Sequence, residues 1–216
     1  MGALFPMRLL TLTLAAVTLV SCTNTSDDFD QLSGFLRPGQ QQPVARSEPL
    51  IRANVPRLQV SFPTTERAGV MLLEGTRDGV DTWLSADGGT LIMQRGMLRG
   101  SRGFGQGLLS SDISEALEFV FSGQEGTAHR FHTYLNGNDE TATRTYICRI
   151  ENRGPRVTTI GGIVIDARLM AEECQSLDQQ FQNLYWVRNS DNLIVQSSQW
   201  LGDFIGAVNT RVIPQL

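Results

Sequence analysis

The chain contains no lysine; all 18 of its basic residues are arginine. A P-loop requires G-x-x-x-x-G-K-[ST], so this way of holding a nucleotide phosphate is excluded. The glycines Gly96, Gly100, Gly103, Gly105 and Gly107 also miss the G-x-G-x-x-G spacing of a dinucleotide fingerprint. They read as a mobile or tightly curved loop. Histidine is nearly absent. His129 and His132 sit in one predicted strand, where alternation sends them to opposite faces, and no third ligand lies nearby. No metal or cofactor site is therefore expected. The three cysteines are too far apart for a CxxC redox or zinc arrangement. There is no G-x-S-x-G nucleophile elbow. Asp81, Asp87, Asp112, Asp166 and Glu172 could serve paired-carboxylate chemistry, which needs a separation of about 5–9.5 Å, but sequence alone brings no two of them together. No catalytic residue is expected. A surplus of positive charge is missing too: the net charge of −4 argues against nucleic acid, whose binders need a basic stripe.

A long apolar run is also missing. A bilayer-spanning helix needs about 20 apolar residues, and the run from Leu9 to Val20 is shorter. It follows Arg8 and precedes small Ser21, the three-part build of a secretory signal. Leu19-Val20-Ser21-Cys22 resembles the bacterial lipobox, in which the cysteine thiol is acylated and the signal is cut just before it. Residues 1–21 are thus read as signal peptide and Cys22 as the lipidated first mature residue. Several acyl chains together hold a protein stably at a membrane. Thr23 follows in place of Asp, which by analogy with enterobacterial sorting points to the outer membrane.

Cutting at Cys22 leaves 195 of the 216 residues, with 17 arginines against 22 acidic groups and a net charge of −5. That is enough chain for one packed domain. Residues 22–50 are polar and broken by Pro38-Gly39, Gln40-Gln41-Gln42 and Pro43, and read as a flexible or loosely helical tether. With Cys22 taken by lipid, Cys148 and Cys174 remain as an even pair in an oxidising compartment. A disulfide is the simplest reading, with two buried free thiols as the alternative.

Residues 51–216 read as a β-rich domain. Leu58, Val60 and Phe62 alternate with polar partners and stop at Pro63. Asp78-Gly79 and Asp87-Gly88-Gly89 mark turns around a hairpin. Asp112 and Glu115 have the spacing to cap a short helix, after which Phe119–Phe121 reads as a resumed strand. Thr127–Leu135 and Thr141–Ile150 flank Asn136-Gly137 as a long hairpin that Arg153-Gly154-Pro155 breaks, with Cys148 on the core side. Ile163, Ile165, Ala167 and Leu169 share the predicted inward face of the next strand, and Ala171–Leu177 reads as a helical turn or loop. Strands over Phe181–Val187, Leu193–Trp200 and Ala207–Ile213 complete the chain. The expected fold is an all-β, antiparallel barrel- or sandwich-like domain of about ten strands with one or two short helices, since closure protects strand edges. Aromatic and arginine side chains suit sugar rings and acidic polysaccharide, which makes Trp83, Arg95, Arg99, Arg102 and Trp186 candidate glycan contacts. The competing role for the tryptophans is filling the core.

These residues also carry a family likeness. The lipobox, the Asp81–Gly88 hairpin, Arg95-Gly96-Met97-Leu98 and the Gly103–Ser110 loop resemble the YjbF/GfcB lipoproteins of exopolysaccharide and group 4 capsule operons. So do the Tyr146–Cys148 arm with Glu173-Cys174, and Asn183-Leu184-Tyr185-Trp186-Val187. The likeness runs from about Leu58 to the C-terminus, besides the lipobox. It implies an all-β outer-membrane lipoprotein facing the periplasm, serving polysaccharide production or export, with no known reaction. The expected role is a non-enzymatic accessory, anchored by lipid, that contacts an outer-membrane export protein or the polysaccharide itself. The alternatives are a module that binds the polymer directly, or a glycan hydrolase with two carboxylates across a cleft.

Overall fold

The structure is a computed structural model and describes residues 45–135, 138 and 140–214. The lipobox, Cys22, the tether to residue 44 and the Asn136-Gly137 turn lie outside the described residues. A short helix α1 (Glu48–Arg52) leads into β1 (Arg57–Phe62), β2 (Arg67–Arg77), β3 (Val80–Leu84), β4 (Thr90–Gln94), β5 (Met97–Arg102) and β6 (Leu108–Asp112). Helix α2 (Ser114–Ser122) follows, then β7 (Gly126–Leu135), β8 (Thr141–Ile160), β9 (Ile163–Gln175), β10 (Gln180–Arg188), β11 (Ile194–Gly202) and β12 (Gly206–Ile213).

Among the described residues all twelve strands form one antiparallel sheet, and each pairs with its neighbours in the chain except at one seam. The meander curls round until β1 meets β12, with Leu58 opposite Val212 and Val60 opposite Thr210. The seam falls between β5 and β6, which approach without a continuous ladder and leave the barrel nearly closed. Gly100 makes this approach possible, because a Cβ there would sit 3.0 Å from the Leu109 carbonyl oxygen. The all-β expectation therefore holds, with twelve strands and two α-helices among the described residues.

The alternation of apolar residues dictates which face closes inward. Leu58, Val60 and Phe62 of β1 join Met71, Trp83, Leu91, Met93 and Val208 in one interior cluster. A second cluster forms where α2 lays Ala116 and Val120 against Met97, Ala128, Ile150, Met170 and Tyr185. Outward positions on β8 to β10 carry Arg149, Arg153, Glu173 and Gln182, which hydrogen-bond to one another.

Several local expectations are corrected. Phe119–Phe121 belongs to α2, because Ala116 and Val120 repeat at helical spacing and are buried together; the helix stops at Gly123, whose φ is 73°. Asp112 and Glu115 do not form a capping box. The Asp112 carboxylate accepts from Ser114 two residues on, and Glu115 reaches β7, where its Oε2 accepts from the His129 backbone N at 2.8 Å. The glycine-rich stretch is mostly ordered sheet: Arg95-Gly96 turns β4 into β5, and only the bend between Arg102 and Leu108 is irregular.

Arg153-Gly154-Pro155 does not end β8 but bulges it. The register steps from Asn152 opposite Met170 to Pro155 opposite Arg168, and Gly154 takes φ 79°, where a side chain would be strained. Ala171–Leu177 is not a helical turn, since β9 runs on to Gln175. Pairing with β8 on one side and β10 on the other overrides the helix-forming Ala-Glu-Glu residues. Ile165, Ala167 and Leu169 are buried together, but not on the inward face expected of them, and Ile163 is exposed. They occupy the face opposite Met170, Glu172 and Cys174, on the outside of the barrel. Beyond the bulge the β8–β9 hairpin folds over this outer surface, packing Ile160 and Ile165 on Val195 and Trp186.

Cys148 and Cys174 face each other directly across β8 and β9 and are joined as a disulfide, with Cα atoms 4.0 Å apart. Both are buried beside Tyr146 and Phe181. The bond closes a loop with a sequence separation of 26. Reducing it, or replacing both residues by alanine, is expected to cost about 3 kcal/mol by the chain-entropy relation. Urea unfolding with and without reductant measures this, and coincident midpoints would rule it out.

Candidate functional site

Inside the barrel, inward positions on four strands converge on one buried charge pair. β7 contributes Arg130, β9 Glu172, and β10 Asn183 and Tyr185, while β6 adds Ser111. Arg130 Nε donates to Glu172 Oε1 at 2.7 Å, with the two side chains 3% and 0% exposed. The other carboxylate oxygen accepts from Asn183 Nδ2 and from the Tyr185 hydroxyl, each at 2.8 Å. Tyr185 in turn accepts from Arg130 Nη2 at 3.2 Å, and Ser111 Oγ lies 3.5 Å from Nη1. Asn183 Oδ1 accepts the backbone N–H of Trp200 at 2.7 Å, which carries the network to β11.

Burying two charges costs several kcal/mol per ion unless the geometry and the accompanying hydrogen bonds compensate. Here both carboxylate oxygens are engaged. Burial works against the Arg130 cation, but Glu172 and Tyr185 outweigh it and raise its pKa, so it stays charged. Burial, followed by the nearby Glu172 charge, pushes the Tyr185 hydroxyl well above its ordinary value and keeps it a donor. The network is closed to solvent and holds the register of β7, β9 and β10.

His132 lies beside it. Its ring is stacked at 5.5 Å on Phe181 and tilted at 5.0 Å on Tyr146, and Nδ1 is 2.9 Å from the Tyr134 hydroxyl. Burial, then the Arg130 charge, lowers its pKa to about 3, so the ring is neutral. Its Nε2 is buried without a partner among the described residues. Cys148, Glu172 and Cys174 bring their ligand atoms within 4.8 Å of one another. That donor set does not suit a metal ion, because both sulfurs are tied in the disulfide and Arg130 occupies the carboxylate.

Of the carboxylates singled out from sequence, only Glu172 enters the interior, and its charge partner is an arginine. Asp81 accepts from Thr76, Asp87 from Ser85 and Arg67, and Asp112 from Ser114, while Asp166 is exposed on β9. His129 is exposed and His132 buried, the opposite faces that alternation predicts. The candidate glycan contacts are dispersed. Trp83 is buried in the first interior cluster, and Trp186 packs on the outer face. Arg95 lies 3.6 Å over the Phe121 ring, Arg99 reaches Gln94 Oε1 at 3.4 Å, and Arg102 is exposed at the end of β5. Sequence reasoning missed Arg130 altogether, and it named Asn183 and Tyr185 without a place in a buried network. The signal was their in-phase alternation with apolar inward neighbours, a polar residue where a core residue was due.

The family model described as "Group 4 capsule polysaccharide lipoprotein gfcB, YjbF" matches residues 14–213. Among solved structures, the hypothetical lipoprotein YmcC from Escherichia coli (K12) has a similar fold, with a TM-score of 0.67 and 18% sequence identity, over 91% of this chain and 99% of that one. No curated protein matches the chain in sequence.

The charge pair and the histidine each make a prediction. Arg130→Met or Glu172→Leu alone is expected to destabilise the fold by about 3–5 kcal/mol, because each leaves an uncompensated charge. Arg130→Met combined with Glu172→Leu is expected to cost clearly less than the two single changes summed; additive denaturant midpoints would contradict this. For His132, the unfolded ring takes up a proton near pH 6.5, whereas the folded ring does so only near pH 3. The stability it permits is fully present above pH 6.5 and falls by about 1.4 kcal/mol per pH unit below that, towards pH 3. His132→Gln should flatten this slope in urea titrations between pH 4 and 7, and an unchanged slope would count against the assignment.

Proposed function

The chain belongs to the YjbF family of group 4 capsule polysaccharide lipoproteins, and from that premise we propose that it is a non-enzymatic accessory of exopolysaccharide or capsule production and export. Lipid on Cys22 would hold it at the periplasmic face of the outer membrane. The observation that carries this reading is the family match, which begins at residue 14 and therefore takes in the lipobox cysteine. The interior supports it. Apolar clusters, α2 and the charge network fill the barrel, so the domain offers surfaces and not a reaction chamber. Its partner on this reading is an outer-membrane export protein or the polysaccharide, and direct polymer binding is the second reading.

Deleting the gene is expected to lower cell-associated and secreted polysaccharide, and wild-type complementation to restore it. Cys22→Ala is expected to abolish fatty-acid labelling, release the protein from the outer-membrane density fraction and fail to complement. Unaltered polysaccharide in the deletion strain would overturn the role. Membrane retention of an unlabelled Cys22→Ala protein would overturn the anchor.

A further inference from the structure

Strand register lines up two polar rows across the outer face of β1, β12, β11 and β10. Gln59 is opposite Arg211, Arg211 opposite Gln196, and Gln196 opposite Trp186. In the adjoining row Ser61 is opposite Asn209, and Asn209 opposite Ser198. These side chains line a groove of 330 Å³. The folded-over β8–β9 hairpin borders it, where Thr158 Oγ1 donates to Gln196 Oε1 at 3.4 Å. At about 4.8 Å per strand, the rows run roughly 14 Å, room for about two or three sugar rings.

The chemistry of the groove is uneven in charge. Among the described residues no carboxylate lines it. Arg211 hydrogen-bonds to Gln196 Oε1 at 3.1 Å and has no acidic partner among the described residues. A partly withdrawn guanidinium with free donors is a seat for a carboxylate, which it can hold bidentately. The amides of Gln59, Gln196 and Asn209 offer paired donors and acceptors, as sugar hydroxyls require, and Trp186 supplies an aromatic surface. A protein partner would call for an apolar centre, which these rows lack. Nucleic acid would call for many cations in place of one. The larger groove over the outer side of β8 to β10 differs in this respect, because its Arg149 is already neutralised by Glu173 at 2.8 Å.

We propose that this groove binds an acidic saccharide, with Arg211 on the sugar's carboxylate and Trp186 against a ring. The inference rests on the polysaccharide role above and gives it a surface.

The test titrates oligogalacturonate, and acidic fragments of the producing cell's own exopolysaccharide, into the full-length lipoprotein purified in detergent. Saturable binding that weakens with salt is expected. Arg211→Gln should bind at least about tenfold more weakly, and methyl-esterified oligogalacturonate should bind wild type as poorly. Asn209→Ala, which keeps the charge, should weaken binding of both the acid and the ester. Arg77→Gln, at the exposed end of β2, should change nothing. Thermal midpoints of the variants guard against misfolding. Absence of saturation with every acidic saccharide, or wild-type affinity in Arg211→Gln, overturns the site. If the groove fails here while gene deletion still lowers polysaccharide, the accessory role stands without it. If binding is intact and deletion is neutral, the role fails and the site stands.

Discussion

Everything in this domain answers to the closing of one meandering sheet. A twelve-stranded antiparallel sheet left open would present two unpaired edges, and unpaired edges invite aggregation. Pairing β1 with β12 joins the strands into that one sheet, brings the two ends of the domain together and leaves β5 and β6 as the edges. The remaining seam is handled by other means. Gly100 lets β5 approach the carbonyls of β6, and Gln199 reaches across from β11 to accept from Leu98 N at 2.7 Å and donate to the Gly96 carbonyl at 2.9 Å. A side-chain amide there does what a neighbouring strand's peptide group would otherwise do.

Closure also creates an interior that a meander of this length cannot fill with apolar groups alone. One part is filled by α2, whose small Ala116 allows the helix to sit close against β7 and β8. Another holds Arg130 and Glu172 with a full set of hydrogen bonds. Such a pair is weak evidence for extra stability, since an apolar replacement is often as good. Its effect is on uniqueness, because a one-residue slip of β7 or β9 would turn the charge out of the barrel and leave its partner buried alone. The disulfide ties β8 to β9 beside it and acts in the same direction.

The outer surface is divided into distinct territories. Over β8 to β10 arginine and glutamate neutralise each other, as in the pairs from Glu173 to Arg149 and Arg153. Over β1, β12 and β11 the polar rows leave one guanidinium without a counter-charge among the described residues. A surface that balances its charges in one region and not in another is where a charged ligand would be recognised, and this separates the two grooves more clearly than their size does.

Much of this was legible in the chain itself. Period-two alternation marked β1, Asp-Gly punctuation marked the turns on either side of β3, and an even pair of cysteines marked the crosslink. These are local signals, set by side-chain chemistry at short spacing. Two errors came where long-range pairing overruled local preference, Gly154-Pro155 as a bulge and Ala171–Gln175 as strand; Phe119–Phe121 as helix was a local signal overlooked, the helical spacing of Ala116 and Val120. The meeting of Arg130 with Glu172, 42 positions apart, has no local signature, because burial and charge complementarity are decided only when strands are placed side by side. The same holds for the row from Gln59 to Trp186. The sequence by itself determined the alternation, the turns and the cysteine pair; only the tertiary structure decided which polar groups meet, since register is a property of two strands and never of one.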